Sequence, residues 1–466
     1  MRCIALWLLV VLLMPKGNHY GYERVFFIHA DTDSVVVEGD LLRGQQEGDE
    51  FVQYVDGNVR VTLESTKVTA DRAIRNVTRR TSTFTGEVVL VDEGDTLRAD
   101  SLHFEEELEI GYAAGNVRLS DGEVVARAPM GTHYVEERRA VFPQGLLLED
   151  SISVLSAEAG VYQIEDKVAD LTGNVKMESE NAELTSDSLT HYRDFAISLA
   201  RGSVLYLTVS GEDSTWIAGE RVERNAKDSL SIVRGNPLLV HFERDSLSVD
   251  TLIIGAGAFR IQESQKGFRL DAMRDVRVWK TSFAARADSV VYDRPENEQD
   301  ESAWLYGQPL IWTDDIQLSG DTVGVVTTEG TIDSLFIRGS AFVAEEDSLT
   351  KRINQARGKG LVGTFRGDSV RVFRVGPNAE AIFFRNSEDG EFDLAVDASG
   401  DEIYMQIEGD YRRITFSTDV QATWYHDGSV LPDTLVLDGL RWEPNLRPTR
   451  EQLLSHPLVS TLRWNR

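Results

Sequence analysis

Cysteine is almost absent from this chain: Cys3 is the only one in 466 residues. It lies at the start of an apolar leader-like stretch and lacks the Leu-x-x-Cys context of lipid attachment. The rest of the chain is expected to carry no disulfide. Positive charge is scarce too, with 48 Lys plus Arg against 77 Asp plus Glu and a formal charge of −29. A nucleic-acid partner needs a basic footprint, and an anionic membrane surface repels a peripheral patch of this sign, so neither is expected. The acidity reads as solubility for a long exposed structure. Long apolar runs are missing with one exception, the eleven residues Ile4 to Met14 behind Arg2. That run fits the hydrophobic region of a signal peptide and is too short to span a bilayer. Residues 1–22 are read as a signal peptide, or as a short N-terminal anchor, with Ile28-His29-Ala30 as a candidate cleavage site.

Constellations that carry chemistry are missing as well. The 8 histidines include no His-x-x-x-His pair. His103 and His191 stand at equivalent places beside Phe104 and Tyr192, which points to packing rather than metal binding. Gly255-Ala256-Gly257 and Gly358-Lys359-Gly360 lack the strand-turn-helix grammar of nucleotide sites and read as turns. Asp31-Thr32-Asp33 lacks calcium-loop spacing, and no carboxylate pair stands out among so many. No catalytic residue, metal site or cofactor is predicted, and the chain is not expected to be an enzyme.

What the sequence does contain is a repeat. Gly57-Asn58-Val59-Arg60-Val61, Gly86-Glu87-Val88-Val89-Leu90, Gly115-Asn116-Val117-Arg118-Leu119, Gly145-Leu146-Leu147, Gly173-Asn174-Val175-Lys176-Met177 and Gly202-Ser203-Val204 have glycines 29, 29, 30, 28 and 29 residues apart. Such a fixed interval signals stacked units. Between the glycines runs a second phrase, such as Thr69-Ala70-Asp71, Ala99-Asp100-Ser101-Leu102-His103-Phe104 and Ser186-Asp187-Ser188-Leu189. Its Asp-Ser pairs recur in every unit, so they are read as local backbone partners at strand bends. Val88 and Leu90 share one face of an extended chain, and Leu97, Ala99, Leu102 and Phe104 are read as keeping the same period of two. The unit is two short strands joined by a tight polar turn, Asp92 to Asp95 in the clearest copy. The pattern loosens after residue 210, where Pro237 and Pro309 should sit at strand starts or an edge. Residues 294–302 read as an inserted loop, and 345–360 as the least β-like stretch, with room for a helical turn.

The alternating phrases Gly-Asn-Val-Arg-Leu and Ala-Asp-Ser-Leu-x-Phe resemble the organic-solvent-tolerance (OstA-like) family, most clearly from Asp56 to Val204 and in degenerate form to Tyr425. The resemblance implies an all-β fold, a spiralling antiparallel β-jellyroll that is V-shaped with an open groove, here built from ~29-residue two-strand repeats. It also implies a periplasmic lipopolysaccharide-transport protein that shelters acyl chains in the groove and helps deliver lipid to the outer membrane. Its partners would be lipopolysaccharide, an inner-membrane complex and an outer-membrane barrel, joined by stacking of edge strands, with head-to-tail self-association as a further mode. The chain is longer than a single short bridge subunit, and an outer-membrane barrel is not expected within these residues. The expected layout is therefore a jellyroll over 23–210, a second and more degenerate one over 211–440, and a cap or tail over 441–466.

The candidate groove residues are Val59, Val61, Val88, Leu90, Leu102, Phe104, Val117, Leu119, Val175 and Met177. In a closed sandwich these side chains are plain core. In a sheet pair held open they form an apolar trough, where each sheltered methylene gains about 0.8 kcal/mol. Two rival readings stay open: a structural or adhesive β solenoid with a dry core, and a polysaccharide-active parallel β-helix enzyme.

Overall fold

The computed structural model describes residues 36–461 apart from 64–65, 93, 152, 245–248, 265–266, 296–299, 314, 329–330, 348–349, 367–368, 387–391, 409–410 and 427–434. The leader, Cys3 and Asp31-Thr32-Asp33 lie outside the described residues. Almost every element is a strand, and every described pairing is antiparallel. The fold is thus an all-β, jellyroll-like antiparallel array, and the pairings are incompatible with the parallel rungs of a β-helix. The chain forms two compact units, one ending at Gly202 and one beginning at Ser203.

In the first unit the strands follow one another as a meander: Glu50–Leu63, Thr66–Asn76, Thr81–Asp92, Asp95–Glu105, Ile110–Ser120 and Val125–Tyr134. They are longer than the sequence pattern suggests, because each runs straight through its signature phrase. The glycine does not start a strand. It lies in mid-strand, where the register of Thr81–Asp92 against Asp95–Glu105 shifts between Thr85 and Val88. Gly115 and Asn116 show the cause: both take left-handed backbone, with φ of 75° and 48°, and form a two-residue bulge opposite Asp100. A bulge bends and twists its strand, so the column of bulges is a corner running along the unit.

The second phrase supplies the other side of that corner. A Cβ on Gly115 would lie 2.2 Å from Asp100 Oδ2, so only glycine fits beneath this carboxylate. Asn116 Nδ2 donates to Asp100 at 2.9 Å, Asn58 Nδ2 donates to Asp40 at 2.8 Å, and Asn174 donates to Glu158. The acidic residue is therefore chiefly a cross-strand partner of the next glycine bulge, rather than the local backbone partner expected. The corner also breaks the period of two. Ala99 and Leu102 are three residues apart yet both buried, as are Ala70 and Ala73. Both halves of a bent strand thereby turn their apolar side chains to the same interior.

The hairpin turns fall in two rows. One row joins Asp92 to Asp95, Ser120 to Val125 and Glu149 to Val154. The other joins Asn76 to Thr81, Glu105 to Ile110, Tyr134 to Arg139 and Gln163 to Val168. In this second row Arg80, Glu109, Arg138, Lys167 and Ala196 all have positive φ, at 55°, 53°, 49°, 53° and 54°. Each of the strands between the rows would span roughly 35 Å if straight. Yet Arg193 at the end of the second row reaches Asp121 and Glu123 in the first, at 3.2 and 3.1 Å. The sheet has therefore folded back on itself, so that the two rows of turns are two lips of one trough.

The second unit repeats the corner in looser form. Pro237 and Pro309 immediately precede Leu238–Arg244 and Leu310–Thr313, at strand starts. Gly255-Ala256-Gly257 and Gly358-Lys359-Gly360 are not hairpin turns but corner residues flanked by paired strand on both sides. Within residues 345–360 a single turn, closed by Lys351 N donating to Asp347 O at 2.8 Å, links two strands and extends into no helix among the described residues. Strand Thr331–Glu346 ends there and Ile353–Arg366 begins, because Ile353 to Arg357 pair across to Phe342 to Glu346. The 294–302 insertion falls at the hairpin between Ala284–Pro295 and Asp300–Tyr306.

Several strands of this unit are buried on both faces. Leu238 and Val240 point one way and Leu239 the other, and all three are buried. The C-terminal segment covers one of these faces. Leu453 and Val459 pack on Ala218, Leu238, Val240 and Ile253, and Leu437 packs on Phe342, Ala344 and Ile382. Two buried glutamines peg it down. Gln355 Oε1 accepts from the Leu437 amide at 2.9 Å, and Gln317 Oε1 accepts from Glu443 N at 2.9 Å and from Trp312 Nε1 at 3.0 Å. The helix Arg450–Leu454 within it is capped by Thr449, whose hydroxyl accepts from Gln452 N while the Gln452 side chain accepts from Thr449 N.

Candidate lipid groove

The first unit encloses an apolar cavity of about 150 Å³ between its two lips. Six of the ten candidate residues line it: Val61, Leu90, Leu102, Phe104, Val117 and Leu119. The other four lie elsewhere. Val59 and Val88 are buried in the core cluster beside the corner, Val175 is buried, and Met177 is half-buried. The sequence pattern missed Phe84, Ala113, Ala126, Phe142, Tyr162 and Ile164, which also line the cavity. Phe84 and Ala113 stand on the near side of the glycine, a half-strand that carries no shared phrase. The three-residue spacing between buried positions in the Asp phrase is the signal that would have found them.

The walls are mostly apolar, and polar groups near the turns are paired, whereas the buried His133 Nε2 has no hydrogen-bond partner among the described residues. Thr66 Oγ1 donates to Asp92 Oδ1 at 2.8 Å near the first lip. Arg75 Nε pairs with Glu106 Oε1 at 3.1 Å, and Ser82 Oγ donates to the same oxygen at 3.2 Å near the second. Such fully paired groups fix the strand ends without placing a loose charge inside. His133 lines the cavity, and burial holds its imidazole below the ordinary histidine pKa. His103 and His191 are hydrogen-bonded to Thr83 at 2.8 Å and to Ser198 at 3.0 Å. Among the described residues no group of three His, Cys, Asp or Glu is placed to hold a metal ion. No helix among them is long and apolar enough to cross a membrane.

At the mouth, burial would raise the Asp121 carboxyl. The amides of Val124 and Glu123 and the Arg193 guanidinium outweigh it and hold the group below the usual carboxylate range. Arg193 Nη1 also donates to Tyr162 Oη at 3.2 Å. An apolar cavity of this size holds a guest of about benzene's bulk.

The array has unpaired edges. Leu41–Glu47 is exposed along its whole length and pairs on one side only, with Glu50–Leu63, among the described residues. Gln421–His426 likewise pairs only with Phe392–Gly400.

No curated protein matches the chain. Residues 32–187 match the family described as OstA-like protein, a span that holds every residue lining the cavity. That segment, about a third of the chain, is OstA-like.

Proposed function

We infer that this protein carries lipopolysaccharide, or a closely related lipid, across the bacterial periplasm toward the outer membrane. The observation that carries this reading is the apolar cavity between the lips of the OstA-like segment. The protein acts passively. It shelters acyl methylenes from water at about 0.8 kcal/mol each, while directional flow is driven elsewhere. The open edges at Leu41–Glu47 and Gln421–His426 suit strand addition to neighbouring envelope components, an inner-membrane complex on one side and an outer-membrane barrel on the other, or to further copies of the chain. Export through the N-terminal leader is part of the same reading.

Site-specific photocrosslinking in cells tests it. Probes at Leu102, Val117 and Ala126 line the cavity, whereas Arg118 is exposed. Lipopolysaccharide adducts from the lining positions and none from Arg118 are expected. A folded, exported protein that gives no adduct from any lining position refutes the lipid reading.

A further inference from the structure

None of the residues lining the cavity is a lysine or arginine, yet the Arg193 guanidinium is bonded to two of them. Arg193 begins the turn 193–196 on the second lip and is the bridge to the first. Its Nη1 donates to Asp121 Oδ2 at 3.2 Å and to Tyr162 Oη at 3.2 Å, and its Nη2 donates to Glu123 Oε2 at 3.1 Å. Asp121 and Tyr162 both line the cavity, so this cluster forms the rim of the mouth. The two lips are 72 residues apart in sequence at this contact, and no described strand pairing joins the two turns directly.

The three partners are not equally held. The Arg193 and Asp121 side chains are 18% and 32% exposed, whereas Glu123 is 72% exposed. An ion pair to so exposed a carboxylate is worth little and exchanges readily. A guanidinium presents the same two-point fork to a carboxylate and to a phosphate. A ligand oxyanion can therefore replace Glu123 without leaving Arg193 unpaired, while Tyr162 stays as a neutral partner.

We propose that Arg193 is a latch and headgroup anchor through which an anionic amphiphile enters the trough sideways. The headgroup oxyanion takes over the guanidinium from Glu123 and then Asp121, the lips part, and the chain slides into the cavity beneath. This rests on the lipid-carrier reading above, and it adds a point of admission and a charge preference.

The test uses the purified protein with dansyl-labelled undecanoic acid and its uncharged methyl ester, followed by stopped-flow fluorescence. The wild type should prefer the acid. Arg193→Ala should take up both probes about tenfold faster and lose the preference. Glu123→Gln should speed uptake of the acid and keep the preference. In a Cys3→Ser background, a Glu123→Cys/Arg193→Cys pair bridged by a bifunctional methanethiosulfonate should block uptake, and dithiothreitol should restore it, which a misfolded variant would not do. Uptake and preference in Arg193→Ala equal to the wild type overturn the latch and leave the carrier reading standing. Uptake of neither probe by the wild type and by Arg193→Ala overturns the carrier reading and the latch with it.

Discussion

The corner between Gly115 and Asp100 can be broken by one methyl group. In Gly115→Ala the new Cβ would lie 2.2 Å from Asp100 Oδ2 and 2.7 Å from its Cβ and Cγ, so the aspartate must leave its place. The backbone at φ 75° adds the left-handed cost of a residue with a Cβ, roughly 1–2 kcal/mol. Displacing Asp100 also loses the Asn116 contacts at 2.9 and 3.2 Å, worth about 1 kcal/mol net at this exposed site. Together the cost is roughly 2–3 kcal/mol. The second unit shows how the clash is avoided. Arg274 and Asp275 form a bulge without glycine, at φ 68° and 48°, and there it is Gly257 whose added Cβ would meet Arg274, at 2.8 Å from Nε. One member of the crossing pair is a glycine, and either strand can supply it. Asp100→Gly should accordingly recover about 1 kcal/mol when added to Gly115→Ala, while destabilising the wild type on its own. Stacked repeats open locally, so hydrogen exchange at the amides of Asp95–Glu105 and Ile110–Ser120 is the suitable readout, with urea unfolding beside it. A Gly115→Ala cost below about 0.5 kcal/mol, or no recovery on adding Asp100→Gly, refutes the steric account.

Ending the chain after residue 434 should uncover Leu238, Val240, Phe342 and Ile382 on the second unit, each worth about 1.5–3 kcal/mol of burial. Stronger binding of anilinonaphthalene sulfonate and loss of solubility are expected, and a truncated protein that stays soluble and binds no more dye contradicts this. Ala113→Phe should fill the cavity that Ala113 lines, abolish uptake of the dansyl acid and cost about 1–3 kcal/mol from overpacking. Unchanged uptake in a folded variant would place the lipid elsewhere. Burial lowers the pKa of His133, His191 and His241. The unfolded chain then binds more protons than the folded one, so stability falls as pH drops through about 6.5 toward the depressed folded values. Melting temperature against pH should show this loss, and His191→Gln should make it shallower.

The corner was legible in the sequence because it is enforced by single residues. A left-handed bulge under a carboxylate admits only glycine, so the glycine recurs every 28 to 30 residues, and an acidic residue recurs with it except at Gly145, which faces Pro129. Its meaning was less legible. A glycine followed by alternating apolar residues reads as a strand start, and only the pairing of Thr85 with Ser101 and of Val88 with Ala99 reveals a strand passing through. The cavity was half visible for the same reason. Val117 and Leu119 follow the glycine in a shared phrase, but Phe84 and Ala113 precede it, where each unit chooses its own residues. The lip turns left no signature at all. Arg80, Glu109, Arg138, Lys167 and Ala196 share a left-handed backbone at 29-residue intervals but no side-chain chemistry. There the hairpin geometry sets the conformation, and the residue only tolerates it. Arg193 was invisible on those grounds: its partners Asp121 and Glu123 come close only once the strands bend.

The two units differ in a way that alternation could have announced. After its glycine the first unit writes Val-Arg-Leu or Val-Lys-Met, with an exposed Arg118 between Val117 and Leu119. One face of such a strand is dry and the other wet. The second unit writes Pro-Leu-Leu-Val and Pro-Leu-Ile-Trp at 237–240 and 309–312, runs with no polar residue for water to meet. A strand that is apolar on both faces has to be covered twice, and among the described residues the second cover is the segment carrying Leu437, Leu453 and Val459. Gln317 and Gln355 confirm that this cover is specific. A buried amide facing a merely greasy surface would be costly, but each is satisfied by a backbone group of that segment. Coverage of the second unit's outer face thus follows from lost alternation. In the first unit the outer face stays charged, and the apolar side chains gather on the lining between its lips.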